Sequence, residues 1–396
     1  MHSGRSCGVV LGALFALFSW ADARATTLDT VVRKAHEAGQ FDGVVLVGRD
    51  DAVTYRRAVG LADRIAQVPH TPGESWRWLS ISEQVAAVLV LQDVERGRLA
   101  LDAPISRYLP GFGGPAVGRV TLRQLLQHAS GLANPDDAGV DERGVPTAYR
   151  ANGLATTAKA MLEPCAAAPK SAPDLRYEAN TCDTLVLAAV LEHVNGTRYA
   201  QLVSSRIAKP LGLASLTMLP PNGSPTRSGV LGHDGEGARE APYDVGRYGA
   251  AGALQGTLDD LWRFDRALMG FLLLSKPVAA TMGSGNPRLG NAALGGWSYM
   301  AKPKQCTEPV SVFERRSEIG GVRAVNLLVP ARQLALVAFS NTANTDWGQL
   351  SQGSGLLHDL LDAALCAADA PVAPPPKDTG GRGKRRATTP PIPNGR

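Results

Sequence analysis

Hydrophobic positions along this chain follow two rhythms, and they change places twice. Near the start, residues 28–38 space their apolar side chains as a helix does. The run Gly43-Val44-Val45-Leu46-Val47-Gly48-Arg49-Asp50-Asp51 then reads as a strand entering a turn, with residues 53–60 pairing back as its hairpin partner. A helical middle follows. Residues 85–95 predict a helix, and residues 121–128 open another with Leu122, Leu125 and Leu126 on one face. Residues 184–194 make a third that stops at Asn195-Gly196, and residues 258–271 a fourth. Strand patterns return at 310–313, 324–329 and 334–341, and a last helix is expected over 356–367. Strands at both ends around a helical insert predict one sheet assembled from the two ends of the chain. No internal repeat is visible.

Composition fits a globular chain: 396 residues, 44% hydrophobic and 19% charged. The first residues, Met1-His2-Ser3-Gly4-Arg5, precede an apolar run of about 14 residues, short of the roughly 20 that a spanning helix needs. Two overlapping Ala-x-Ala sites follow, at Ala21-Asp22-Ala23 and Ala23-Arg24-Ala25. This pattern predicts a signal peptide over residues 1–25 and a periplasmic or secreted protein. Cys7 lies in that leader, which leaves Cys165, Cys182, Cys306 and Cys366. In an oxidising compartment these allow two disulfides, with Cys165–Cys182 the first choice because both flank one short Pro- and Ala-rich loop; four buried thiols are the alternative. The cysteine spacing matches no metal-ligand pattern.

The net charge of +5 belongs to the last stretch of chain. From Pro371 onward, Lys377, Arg382, Lys384, Arg385, Arg386 and Arg396 against Asp378 alone equal the whole excess, so the body is near neutral. Residues 367–396 are rich in Pro, Gly and Thr, and are expected to form a disordered basic tail, either inert or touching an anionic cell surface. Basic residues without interleaved aromatics argue against a nucleic-acid partner.

One segment carries the strongest chemical signal. Trp76-Arg77-Trp78-Leu79-Ser80-Ile81-Ser82-Glu83-Gln84 leads into the apolar helix after it and resembles the nucleophile segment of the serine β-lactamase and penicillin-binding-protein superfamily. Four further stretches resemble, in order, landmarks of its class C β-lactamase, DD-peptidase and esterase branch. They are the strand from Gly43, Leu101-Asp102-Ala103-Pro104-Ile105, Leu125-Leu126-Gln127-His128-Ala129-Ser130-Gly131, and Gly252-Ala253-Leu254-Gln255-Gly256-Thr257-Leu258. The resemblance implies an α/β fold. An antiparallel sheet flanked by helices (26–80 and 255–366) would stand beside an inserted all-helical lobe (81–254), with the active site in the groove between them. No cofactor is implied.

The residues that would do the chemistry depart from the family pattern. Where the family has Ser-x-x-Lys, this chain has Ser80 followed by Glu83. A serine hydroxyl needs a neighbouring base, and a carboxylate with an ordinary pKa near 4 is a weak one unless burial or a like charge raises it. The second family motif, Tyr-x-Asn or Tyr-x-Ser, falls on Ala179 and Thr181, with Tyr177 at the preceding aromatic and Asn180 one residue out of step. The third, Lys-Thr-Gly or His-x-Gly, falls on Glu318-Ile319-Gly320, so its basic residue is also replaced. The backbone amides of Ser80 and Gly321 would form the oxyanion hole, a role that needs no particular side chain. His233-Asp234-Gly235 fits His-x-Gly but lies well before the strand that should carry it, and His128 is taken as structural. No Gly-x-Ser-x-Gly elbow, phosphate loop or His-Glu-x-x-His occurs.

Two functions remain. In the first, the groove persists as a binding site in an exported pseudo-hydrolase, with a peptidoglycan fragment or a protein as partner. In the second, Ser80 attacks an ester or amide small molecule and Glu83 acts as base, its pKa raised in part by Glu318.

Overall fold

The computed structural model describes residues 19–224, 230–304, 306 and 308–366, with side chains from residue 28 to residue 365. The basic tail and most of the expected leader lie outside the described residues. No helix among the described residues is long and apolar enough to cross a membrane.

The elements that place the site are, in chain order, helix α1 (Ser19–Glu37), strands β1 (Gly43–Arg49) and β2 (Ala52–Val59), and helices α2 (Ser82–Glu95), α3 (Leu122–Leu126), α4 (Thr181–Asn195) and α5 (Leu258–Met269). Strands β3 (Ala292–Ala293), β4 (Gly296–Ala301), β5 (Val310–Ile319), β6 (Val322–Val329) and β7 (Leu334–Ser340) follow, and then helix α6 (Leu356–Cys366). The strands form one seven-stranded sheet in the order β2-β1-β7-β6-β5-β4-β3, antiparallel throughout. The N-terminal hairpin joins the C-terminal strands through β1 and β7, with Gly43 opposite Ser340 and Arg49 opposite Leu334. The sheet is thus assembled from both ends of the chain, as the strand patterns predict.

The near-continuous apolar runs of β1 and β7 follow from burial of the sheet on both faces. Side chains alternate between faces along a strand, so Val45 and Val47 pack with Leu336, α1 and α6, while Val44 and Leu46 pack with Val337, α2 and α5. The β1–β2 turn is made by Asp50 at φ 54°, a left-handed position that aspartate tolerates.

Helix α2 is buried from Ser82 to Asp93, which explains an apolar sequence without a polar face. Helix α3 opens with a capping box between Thr121 and Gln124. Helix α4 is capped by the Asn180 side chain on the Cys182 amide and ends at Gly196 in the left-handed region. A disulfide ties Cys165 to Cys182 in the first turn of α4, as the first-choice pairing has it, and Cys306 is also disulfide-bonded.

Three strands differ from the sequence expectation: β3 and β4 are additional, and β5 runs to Ile319 instead of ending at Phe313. The charged stretch Glu314-Arg315-Arg316 hides the continuation because it breaks the apolar alternation; several of its partners, such as Glu83 and the Ser80 carbonyl for Arg315 and the Gly348 carbonyl for Arg316, lie far away in sequence.

Candidate active site

Ser80 sits in a tight turn (Leu79–Ile81) that leads directly into α2, so its position is fixed by the most buried helix of the fold. The preceding Leu79 is fully buried with φ 51°. For a bulky side chain that is a strained conformation, and such strain persists only where the surroundings hold it. Ser80 opens onto a cavity of about 440 Å³ lined by Glu83, Ala179, Thr181, Glu318 and Gly320 among others. The six of the seven expected site residues that meet there come from α2 and the turn before it, the segment before and into α4, and β5 with its following turn. The Ser80 hydroxyl has no hydrogen-bond partner among the described residues.

Glu83, one turn along, is almost fully buried and does not stand alone. Its Oε2 accepts from His128 Nε2 at 2.6 Å and from the guanidinium of Arg315 on β5. His128 Nδ1 donates in turn to Asp183 Oδ2 at 3.1 Å, and Ser130 Oγ donates to the other oxygen of Asp183. Arg315 Nε donates to the Ser80 carbonyl at 3.1 Å, and its guanidinium lies over the Trp297 ring, 5.2 Å from the centroid. Tyr177 packs edge-on against His128 and tilts against Trp297. The site is therefore a chain of alternating charges, Arg315–Glu83–His128–Asp183, running from the sheet through α2 to α4.

The charges fix each other's protonation. Burial pushes the Glu83 carboxyl up, but the Arg315 and His128 charges outweigh it and hold the group below the usual glutamate value. Burial opposes a charged His128, yet Glu83 and the hydrogen bond to Asp183 raise the ring to about 10. Asp183 is held above the ordinary aspartate value by burial, partly offset by His128 and Ser130. A general base must take up a proton near neutral pH. Glu83 is stabilised as an anion, His128 already carries both ring protons, and an arginine does not lose its proton.

Two sequence expectations change here. Glu318 does not raise Glu83: its side chain is 67% exposed and pairs with Arg323 at 2.6 Å, facing away from the buried chain of charges. The two oxyanion amides are not free donors. The Ser80 amide donates to Ser317 Oγ at 2.9 Å, and the Gly321 amide to Glu240 Oε2 at 3.1 Å, with Glu240 held by Arg77 at 2.5 Å. His128, taken as structural, is a direct partner of Glu83. Gly320, at φ 59°, turns β5 into β6, and a Cβ there would collide with the Glu240 carboxylate. Gly321 packs on the backbone of His233, so the close approach it permits is to the chain's own 232–233 segment. Among the described residues no group of three or more His, Cys, Asp or Glu is placed to hold a metal ion.

Arg315, Asp183 and Ser130 escaped the sequence reading. The available signal was Glu314-Arg315-Arg316 inside a strand pattern otherwise built for burial, since buried charges imply partners.

A sequence model described as β-lactamase matches residues 28–353. The chain belongs to the β-lactamase family. Within that family it is 32% identical over 273 residues to esterase EstB of Burkholderia gladioli, covering 60% of this chain and 68% of that one. It is 24% identical over 325 residues to the putative penicillin-binding protein PbpX of Bacillus subtilis, covering 81% and 75%. The structure of a D-amino acid amidase from Ochrobactrum anthropi SV3 superposes with a TM-score of 0.69 at 18% identity, over 86% of this chain and 98% of that one. The chain is thus a homologue of β-lactamase-family serine hydrolases with their fold, an antiparallel sheet with helices. Against the family's Ser-x-x-Lys, it presents a charge reversal at Glu83 that Arg315 compensates from the sheet.

Proposed function

We propose that this β-lactamase-family protein keeps the groove and the serine but has lost, or nearly lost, acyl transfer, and acts by binding a ligand in the groove. The observation that carries the reading is the geometry beside Ser80: the Glu83 carboxylate is held between Arg315 and His128, two groups that favour its ionised form. A peptidoglycan fragment or a protein partner suits such a groove outside the cytoplasm. The Cys165–Cys182 disulfide supports an oxidising compartment, and with it the periplasmic or secreted location.

A second reading has one observation in its favour. The Ser80 hydroxyl is half-exposed to the cavity and unpartnered among the described residues, as a nucleophile awaiting an ester or amide would be. Under this reading Glu83 takes the serine proton.

Treating the purified protein with a fluorophosphonate and with a fluorescent penicillin, followed by mass spectrometry, separates the two. The expected result is no adduct on Ser80 and no hydrolysis of activated esters or a β-lactam. An adduct on Ser80 that disappears in Ser80→Ala would overturn the binding-only reading.

A further inference from the structure

Helix α2 ends in a second cluster of charges, about 20 Å from Ser80 at a rise of about 1.5 Å per residue. Asp93 is fully buried there, and three arginines converge on one of its oxygens. Arg98 reaches Asp93 Oδ1 at 2.6 Å, Arg206 at 2.9 Å and Arg96 at 3.3 Å. The other oxygen accepts from Asn195 Nδ2 at 2.6 Å, and Asn195 Oδ1 accepts a second bond from Arg206. Arg206 is brought in by a π turn over Ser204–Ala208, a local form that recurs at functional sites. Pro210 accounts for it, since it has no N–H to close an α-helical bond to the Arg206 carbonyl. Three guanidinium groups face too little negative charge. Asp93 supplies one charge and the C-terminal ends of α2 and α4 about half a charge each, which leaves about one positive charge over. The acids nearest in sequence are turned elsewhere: Glu95 accepts from the Ser275 amide and Glu192 from the Tyr199 amide, each at 2.7 Å. Burial, with the Arg96 and Arg98 charges, pulls the Arg206 guanidinium below its ordinary value although Asp93 opposes them. The cluster opens to solvent, because the Arg96 and Arg98 side chains are 46% and 38% exposed.

We propose that Arg96, Arg98 and Arg206 form a binding site for a phosphate group, separate from the groove at the other end of α2. Shape favours phosphate over carboxylate. Three converging N–H forks can each meet a different oxygen of a tetrahedral anion, and charge-assisted bonds of this kind are the strong ones. Asp93 and Asn195 already hold the guanidinium groups together, so little ordering remains to be done on binding. An arriving anion also relieves the repulsion among the three arginines. The same chemistry recognises a small phosphorylated molecule and a phospholipid headgroup.

Isothermal titration of the full chain with inorganic phosphate, at an ionic strength held constant with sodium chloride, tests this. Saturable binding is expected, and about tenfold weaker binding or more in the double variant Arg96→Gln/Arg98→Gln. Asp93 keeps Arg206 and Asn195 in that variant, so its melting temperature should be largely retained. Arg57→Gln/Arg332→Gln removes the same charge from exposed positions outside the cluster and should leave the affinity unchanged. No saturable binding, equal affinity in Arg96→Gln/Arg98→Gln, or an equal loss in Arg57→Gln/Arg332→Gln overturns the proposal. Where phosphate binds as expected, cosedimentation with phosphatidylglycerol and with phosphatidylcholine vesicles names its source. Pelleting with phosphatidylglycerol that Arg96→Gln/Arg98→Gln loses assigns the lipid headgroup; pelleting that is absent, or that survives in this variant, assigns a soluble phosphate.

Discussion

Two carboxylates are buried against the same helix and end in opposite states. Glu83 and Gln84 are neighbours on α2. Glu83 turns to Arg315 and His128, which hold its carboxyl below the ordinary range. Gln84 turns the other way, to a buried group in which Asn326 Nδ2 donates to Gln84 Oε1 at 2.9 Å and to Asp265 Oδ1 at 2.8 Å. Among the described residues Asp265 has no cation and its Oδ2 has no partner, and burial drives its carboxyl well above the ordinary range. Both acids are buried, Glu83 at 7% exposure and Asp265 at 0%, so burial alone does not decide which is charged. The partner decides, and only the Glu83 side is built to keep an ion.

The sharpest break of that contrast is Glu83→Gln. It removes the one anion shared by Arg315 and His128, and leaving buried cations without it should cost about 3–5 kcal/mol in urea unfolding at pH 7. The pH dependence should change as well. The His128 pKa is raised from 6.5 to about 10, so its contribution to stability is complete below about 6.5 and is lost as pH climbs through about 10. In Glu83→Gln that fall between pH 6.5 and 10 should flatten, which unfolding curves across the range would show; an unchanged slope contradicts the pairing. Glu83 behaves in the opposite sense, its stabilisation being present above the usual glutamate pKa and lost as pH falls below it.

Arg315→Met comes next. Glu83 keeps His128, so the expected loss is smaller, about 2–3 kcal/mol for a charge-assisted hydrogen bond. The side-chain carboxyl of Glu83, followed by NMR, should then titrate at higher pH than in the unaltered chain. The smallest effect has the reverse sign. Asp265 is held uncharged when folded but ionises when unfolded, so its stabilisation is greatest below about pH 4 and is lost as pH rises. Asp265→Asn keeps the acceptor for Asn326 and removes that loss, which should gain about 1 kcal/mol at pH 7 and less at pH 4. A destabilised Asp265→Asn at pH 7 would mean that the two acids are not opposites.

Most of the architecture could be read from the chain because its signals are local. The run from Gly43 to Val47, the Thr121–Gln124 capping box and the Asn195-Gly196 stop each declare an element within a few residues. Ser80, Ala179, Thr181 and Glu318 could be placed at the groove through the family resemblance. What escaped was long-range. Nothing near Glu83 announces that its cation comes from Arg315 on β5, or that its second partner is His128. Nor does Gly321 announce Glu240, which reaches its amide from a loop more than eighty residues earlier in the chain. Local patterning specifies elements, whereas protonation states are set where the elements meet.

The Arg315–Glu83 pair also constrains how this lineage can change. Glu83→Lys by itself would restore the family's Ser-x-x-Lys, but it would press a third cation into a buried space already holding Arg315 and a charged His128. Losing Arg315 first would strand Glu83 with half its support. Each single step crosses a valley of lowered stability, and only a paired change avoids it. The charge swap works as an evolutionary ratchet: once both residues were in place, selection for folding alone would be enough to keep the lysine out.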